Sequence, residues 1–157
     1  MTLILGLDTS STKSGIALIN SKKEILQLDL WAKDKRKNLF ENLQNWQEYV
    51  GSLMPVDLVV IEKVSKARNL NTVRLLAYHE AAAFIKAHEF GTEILHISPM
   101  TARKKGLGNG KLNKQAVYNM IKSKYKNQEF LPYDKGGNDQ TDAVCLALAG
   151  LKELNER

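Results

Sequence analysis

The chain has 157 residues, of which 43% are hydrophobic and 25% are charged, a composition typical of one globular domain spanning residues 1–157. No stretch approaches the roughly 18 apolar residues of a membrane span, and the first residues lack the basic segment and cleavage site of a secretory signal. The single cysteine, Cys145, excludes an internal disulfide and a cysteine-rich zinc site. We therefore expect a cytoplasmic protein without a membrane partner.

Hydrophobic periodicity predicts a chain that begins with strands and then alternates helices with strands. Short apolar runs separated by turn residues indicate strands, and apolar residues three and four apart from Leu39 to Leu53 indicate an amphipathic helix that Pro55 ends. In chain order the predicted elements are strands at 2–8, 14–20 and 24–31, a helix at 39–53, a strand at 57–62, a helix at 71–89, a strand at 92–97, a loop rich in glycine and lysine, and helices near 112–125 and 139–154.

This order predicts an α/β fold with a mixed five-stranded sheet and helices on both faces. Three strands linked by hairpins are followed by two parallel crossovers, which are almost always right-handed. The first strand then lies at the centre of the sheet beside the fourth. Asp8 and Glu62 consequently end adjacent parallel strands at one edge, where the active sites of open α/β sheets lie.

Four carboxylates are placed to meet at that edge. Asp8 and Glu62 each close an apolar run, and Asp139 and Asp142, three residues apart, share one face at the start of the last helix. The small apolar residues at 143–150 allow that helix to pack closely on the sheet. Clustered, buried carboxylates raise one another's pKa and are costly without a cation. The sequence therefore predicts a site for a pair of divalent cations, which also supply the chemistry for cutting a phosphodiester.

Basic residues predict a polyanionic partner. The chain carries 23 basic and 17 acidic residues, a net charge of +6. A smaller cluster directly follows Glu62 and comprises Lys63, Lys66 and Arg68. The segment from Ile94 to Gln128 has no acidic residue and eight basic ones, namely Arg103, Lys104, Lys105, Lys111, Lys114, Lys122, Lys124 and Lys126. The glycines at 106–110 indicate a loop that approaches a DNA backbone.

Four segments in this order resemble the motifs of the RuvC-type Holliday junction resolvases, nucleases of the ribonuclease H-like fold. The segments are Gly-Leu-Asp-Thr-Ser at 6–10 with Gly-Ile-Ala at 15–17, Val-Ile-Glu-Lys-Val at 60–64, the basic and glycine-rich segment at 103–114, and Asp-Gln-Thr-Asp-Ala at 139–143. The resemblance covers nearly the whole chain and includes compact members of the phage type. None of the four motifs is specific alone, but together they make a strong signal.

The resemblance implies a crossover junction endodeoxyribonuclease whose partner is branched DNA, both four-way junctions and forks. It would use two Mg²⁺ ions, for which Mn²⁺ can substitute, and leave 5′ phosphates. The ligands would be Asp8, Glu62, Asp139 and Asp142, with Lys114 as a further catalytic residue; the DNA-binding set would be Lys63, Lys66, Arg68, Arg103, Lys104, Lys105, Lys111 and Lys114. Because a four-way junction is nearly two-fold symmetric, we expect a homodimer, with the helix at 71–89 as its interface.

Two other interpretations stay open. Family members often carry an aromatic residue, which stacks on unpaired bases, at the position of Ser65, and its loss favours a broader range of branched DNA. A branched-DNA-binding module without catalysis is one alternative, although it has no need of carboxylates beside phosphates. The turn at 8–15 also resembles the phosphate loop of sugar kinases and actin-like ATPases, but those proteins need two such domains.

Overall fold

The computed structural model describes residues 1–64 and 69–157, and places the predicted sheet at the centre of the molecule. Its strands are β1 (Leu3–Asp8), β2 (Lys13–Asn20), β3 (Ile25–Ala32), β4 (Leu58–Glu62) and β5 (Glu93–Ile97). Its α-helices are α1 (Leu39–Ser52), α2 (Leu70–Glu89), α3 (Pro99–Leu107), α4 (Lys114–Lys124) and α5 (Gly137–Asn155). A short 3₁₀ turn at Tyr133–Lys135 precedes α5.

The strand order is β3-β2-β1-β4-β5, so the predicted central position of β1 is confirmed. β1 and β2, like β2 and β3, pair antiparallel as hairpins, whereas β4 runs parallel to both β1 and β5. The register pairs Leu7 with Ile61. Asp8 and Glu62 therefore follow equivalent positions on neighbouring strands and leave the sheet at the same edge.

Alternation along the buried strands divides the core into two layers, because successive side chains point to opposite faces. Ile4, Leu58 and Val60 pack with α3, α4 and α5 on one face. Leu5, Leu7, Val59 and Ile61 pack with α1 and α2 on the other, where Trp46 is fully buried. The prediction of helices on both faces is confirmed. In the part of the chain that the structure describes, no helix is both long and apolar enough to cross a membrane.

The predicted glycine- and lysine-rich loop is partly wrong, because its first half is helix α3. The Ser98 hydroxyl accepts a hydrogen bond from the Thr101 backbone N–H at 3.2 Å, and Pro99 occupies the first helical turn. These are strong helix start signals. The helix ends at Gly108, whose φ of 84° is left-handed. Arg103, Lys104 and Lys105 consequently project from a helix, and only the segment 108–113 is a loop.

Candidate active site

The four predicted carboxylates come together from three elements at the carboxyl-terminal edge of β1 and β4. Asp8 ends β1 and is only 8% exposed, and Glu62 ends β4 and is half-buried. Asp139 and Asp142 lie in the first turns of α5, where Asp142 is 7% exposed. The Asp8 and Asp139 carboxyl groups lie within hydrogen-bonding reach of each other. The predicted meeting of these side chains is therefore found in the fold.

Two glycines allow α5 to approach the sheet this closely. A Cβ atom on Gly6 would meet the Ala143 carbonyl, and one on Gly15 would meet the Asp139 carbonyl. Both positions lie on strands that α5 crosses, and Asp8 pairs with Gly15 across the hairpin. Because the backbones touch, the aspartates of α5 are held against the ends of β1 and β2. The small residues predicted to permit this packing are fully buried along α5.

Burial raises the pKa of every carboxyl group in this cluster, and repulsion by a neighbouring carboxylate adds to the rise at Asp8, Glu62 and Asp142. Desolvation is the largest cause at each position. For Asp8 and Glu62 the next cause is the charge of Asp142, which raises the pKa of both. The nearby cations lower these pKa values without reversing the shift. The cluster thus holds more negative charge than its own cations offset, which is the condition that favours binding of an added cation.

The lysine predicted to act in catalysis lies inside this cluster. Lys114 Nζ is 3.4 Å from Asp142 Oδ2, and its side chain is 51% exposed. Burial by itself would lower the pKa of Lys114, but the charges of Asp142 and Asp8 outweigh burial and raise it. Lys114 is the first residue of α4, where Asn113 caps the helix by accepting from the Ala116 N–H at 2.8 Å. A capped helix therefore fixes the base of the lysine side chain.

The carboxylate cluster has the donors of a divalent-cation site. All four groups supply oxygen, which is the ligand atom that Mg²⁺ and Mn²⁺ prefer. Within residues 1–64 and 69–157, no three acidic, histidine or cysteine side chains are already turned toward one point so as to enclose an ion. Burial and repulsion raise the pKa of Asp8 and Asp142, and an added cation at this edge would offset both effects.

The other predicted DNA-binding residues are divided by the structure. Arg103 lies near the carboxylates, lowers the pKa of Glu62 and Asp142, and donates from Nη1 to the Leu112 carbonyl at 2.8 Å. Lys63, Lys104 and Lys111 are exposed. Lys66 and Arg68, together with Ser65, lie outside the described residues.

Lys105 forms ion pairs within the protein. Its ammonium group pairs with Glu153, and with Glu156 at 2.9 Å. Glu153 is eleven residues beyond Asp142 on α5, which corresponds to about 16 Å along the helix axis. Lys105 therefore ties α3 to the far end of α5.

Lys13 is a residue of this site that the sequence interpretation missed. It is the first residue of β2, is exposed, and lowers the pKa of Asp139 by its charge. The signal was present in the hairpin: Asp8 pairs with Gly15, so a residue two positions before Gly15 extends past the same edge. A charge count along the chain did not find it, because Lys13 is isolated from the two basic clusters.

Residues 4–150 match the family model described as "Crossover junction endodeoxyribonuclease RuvC". The chain belongs to the RuvC family. The crossover junction endodeoxyribonuclease RuvC of Aliarcobacter butzleri is 30% identical over 158 residues, covering 96% of this chain and 99% of that protein. The RuvC of Citrifermentans bemidjiense is 26% identical over 153 residues, covering 93% of this chain and 90% of that protein.

The fold leads to the same family. The structure of T. thermophilus RuvC in complex with a Holliday junction substrate matches with a TM-score of 0.84 at 15% identity, covering 99% of this chain and 96% of that chain. At this identity the match shows the fold, which is ribonuclease H-like. The predicted family, fold class and enzyme class of this RuvC-family protein are thereby confirmed.

Proposed function

We propose that this RuvC-family protein is a metal-dependent endonuclease that cuts Holliday junctions and forked DNA and leaves 5′ phosphates. The observation that carries the proposal is the gathering of Asp8, Glu62, Asp139 and Asp142 at one sheet edge, with charge that Lys114 only partly offsets. The family to which the chain belongs supports the same activity. A module that only binds DNA would gain nothing from burying these carboxylates beside phosphates.

The cofactor that best fits the cluster is a pair of Mg²⁺ ions, with Mn²⁺ able to substitute. Asp8, Glu62, Asp139 and Asp142 would hold them. When bound, such ions activate water for in-line attack and stabilise the leaving oxygen. The chain's own contribution is to bring four carboxylate groups together from β1, β4 and α5, with Asp8 and Asp142 buried.

The cations of the chain would orient the DNA and stabilise charge on the phosphate. Lys114 is anchored at a capped helix start beside Asp142, so its ammonium group can face a phosphate bound at the carboxylates. Arg103 is held by the Leu112 carbonyl and stands beside the same groups. The exposed lysines Lys63, Lys104 and Lys111 would contact the DNA backbone farther from the cut. Such contacts set affinity without specifying sequence.

Lys114→Ala is expected to lower the cleavage rate at saturating protein by on the order of 10²–10³-fold, the effect of removing one group that stabilises transition-state charge. Junction affinity should change little. Lys111→Ala is the matched comparison, because Lys111 is exposed on the loop just before α4. It should lower the salt slope of binding by about one unit and leave the saturated rate unchanged. If Lys114→Ala cleaves at the wild-type rate, Lys114 has no catalytic role.

The substrate is tested with a labelled four-way junction, a fork and a linear duplex, each incubated with Mg²⁺ or with a chelator. The proposal predicts nicks in the branched substrates only, with Mg²⁺ only, and products that DNA ligase can reseal. Junction binding without any nick would favour the binding-module alternative. Binding of ATP without nuclease activity would favour the kinase-like alternative.

We propose further that the protein acts as a homodimer through α2. This helix exposes the apolar side chains Leu70, Tyr78 and Ile85, which are 82%, 42% and 54% exposed. Ile85 borders an apolar groove between α2 and β5 that also contains Phe84 and Ile94. A two-fold dimer would present two equivalent carboxylate clusters to the two like strands of a junction.

Ile85→Asp is expected to convert the dimer into a monomer, because a charge would be buried at the interface without a partner. Light scattering measures the mass, and paired symmetric nicks should become single nicks. Leu26→Asp is the matched control, since Leu26 is 51% exposed but lies on β3 at the opposite edge of the sheet. A wild-type protein that is monomeric both free and on DNA would contradict the dimer.

A further inference from the structure

A group of lysines lies beside the carboxylate edge, on the face of the sheet covered by α1 and α2. The run Lys-Asp-Lys-Arg-Lys at 33–37 joins β3 to α1 and belongs to neither basic cluster discussed above. Its three lysines, Lys33, Lys35 and Lys37, border a cavity of about 260 Å³ together with Ser11 and His79. The cavity is formed by segments that are distant in sequence.

The loop that carries these lysines is held in one conformation. Asn42 is 6% exposed; its Oδ1 accepts from the Asp34 N–H at 2.8 Å, and its Nδ2 donates to the carbonyl groups of Asp34 and Lys37 at 3.0 and 3.2 Å. The Lys33 N–H donates to the Thr12 carbonyl at 2.9 Å. The loop is therefore tied both to α1 and to the turn that follows Asp8, so the lysine backbones are ordered before any ligand arrives.

The charge around the cavity is positive. The carboxylate of Asp34, which also borders the cavity, accepts from the Arg36 guanidinium at 3.0 and 3.1 Å, and these bonds lower its pKa to about 2. Its negative charge is thus matched by Arg36, which leaves the three lysines in excess. The N-terminus of α1 lies at the same place, since Leu39 is both its first residue and part of the cavity. This N-terminus is already capped, because the Asn38 side chain accepts from the Glu41 N–H at 2.9 Å, so the positive charge of the cavity comes from the lysines.

A buried histidine also borders the cavity. His79 is 1% exposed, and its Nδ1 lies 2.9 Å from the Leu75 carbonyl. Because a carbonyl only accepts, Nδ1 carries the hydrogen. The other nitrogen, Nε2, is buried and has no hydrogen-bond partner among the residues that the structure describes. Burial and the charge of Lys33 lower the pKa of His79, so the ring is neutral and Nε2 is an acceptor that takes no part in holding an anion.

The cavity lies close to the carboxylates. Ser11 is three residues after Asp8, so their Cα atoms are at most about 11 Å apart. At an axial rise of about 3.4 Å per nucleotide, this distance corresponds to a few nucleotides of one strand. We propose that the cavity binds a backbone phosphate of the DNA strand a few nucleotides from the cut, through Lys33 and Lys37. This inference rests on the nuclease function proposed above.

The test uses Asp8→Asn protein in chelator, so that binding is measured without cleavage. Junction affinity is measured against salt concentration for this parent, for the parent with Lys33→Ala and Lys37→Ala, and for the parent with Lys22→Ala. Lys22 is exposed beyond β2, at the opposite edge of the sheet from Asp8, and is the matched control. The double change should lower the salt slope by about one unit and weaken binding several-fold at physiological salt, whereas Lys22→Ala should change neither.

The remaining outcomes separate the possible failures. An unchanged slope, or a loss equal to that of Lys22→Ala, overturns the cavity assignment alone. A parent that does not bind the junction overturns the proposed function and this inference with it. A titration with inorganic phosphate, followed by ³¹P line broadening, tests whether the cavity binds a free anion instead. If the double variant loses phosphate binding but keeps the salt slope of DNA binding, the assignment to a DNA backbone phosphate is overturned. Thermal unfolding checks that all variants are folded.

Discussion

Asp8→Asn is expected to lower the rate of junction cleavage by on the order of 10⁴-fold, the scale on which loss of one member of a catalytic group acts. Asp8 is the carboxylate whose pKa the other three raise, and it is 8% exposed. An amide keeps its shape but removes the charge that a cation needs. Single-turnover cleavage of a labelled junction with Mg²⁺ measures the rate, and binding in chelator should be retained, because removing negative charge cannot weaken attraction to phosphates.

Asp57→Asn provides the matched control for this experiment. Asp57 directly precedes β4, at the amino-terminal end of the same pair of parallel strands, and its carboxylate accepts from the Leu3 N–H at 2.7 Å. The chemical change is identical and the position is at the opposite edge of the sheet. Cleavage at the wild-type rate is expected for this variant. Turnover by Asp8→Asn close to that of Asp57→Asn would exclude Asp8 from catalysis.

The same carboxylates should make the stability of the protein depend on metal. In chelator, Asp8→Asn is expected to raise the free energy of unfolding by about 1–3 kcal/mol, because a buried, repelled charge is removed. With Mg²⁺ at 100 times its dissociation constant the wild type should gain about 2.7 kcal/mol, and the variant should lose most of this gain. The stability advantage of the variant over the wild type should therefore shrink by up to about 2.7 kcal/mol when Mg²⁺ is added. Wild type more stable in both conditions would contradict a carboxylate metal site.

The pH dependence of the metal-free protein follows from the same shifts. The pKa values of Asp8, Glu62, Asp139 and Asp142 are raised above their ordinary values, so the folded protein keeps protons that the unfolded chain has lost. Stability then falls as pH rises through the window between the ordinary and the raised pKa. In chelator, the thermal midpoint should increase as pH is lowered from neutral toward the ordinary pKa of a carboxyl group. Asp8→Asn and added Mg²⁺ should each reduce this increase.

Much of the fold was predictable because local and global signals agree in it. The apolar runs that end at Asp8 and Glu62 are buried strands, as their composition predicts, and the hairpin order leaves β1 in the centre. The spacing of Asp139 and Asp142 with the small residues behind them was sufficient to place α5 on the sheet. The three segments that carry the four carboxylates were therefore predictable from the apolar periodicity and from the charged residues at the ends of the apolar runs.

The features that the sequence did not reveal depend on contacts between distant residues. Helix α3 has few apolar residues, so periodicity failed where the Ser98 cap decided the structure. The ion-pair partners of Lys105 are 48 and 51 residues away on α5, so the sequence does not reveal them. The cavity brings together Ser11, Lys33 and His79, which no local pattern connects. Charge counted along a chain locates basic segments but not the partners that neutralise them.

Anomalous diffraction from crystals soaked in Mn²⁺ tests most directly whether the four carboxylates form the metal centre of a nuclease. Mn²⁺ suits the same oxygen ligands as Mg²⁺ and scatters anomalously. The proposed function predicts two peaks between Asp8, Glu62, Asp139 and Asp142, and the loss of at least one of them in Asp8→Asn crystals. Peaks only elsewhere on the protein would contradict it. So would the absence of peaks in a crystal whose carboxylates keep the positions they have in the metal-free protein.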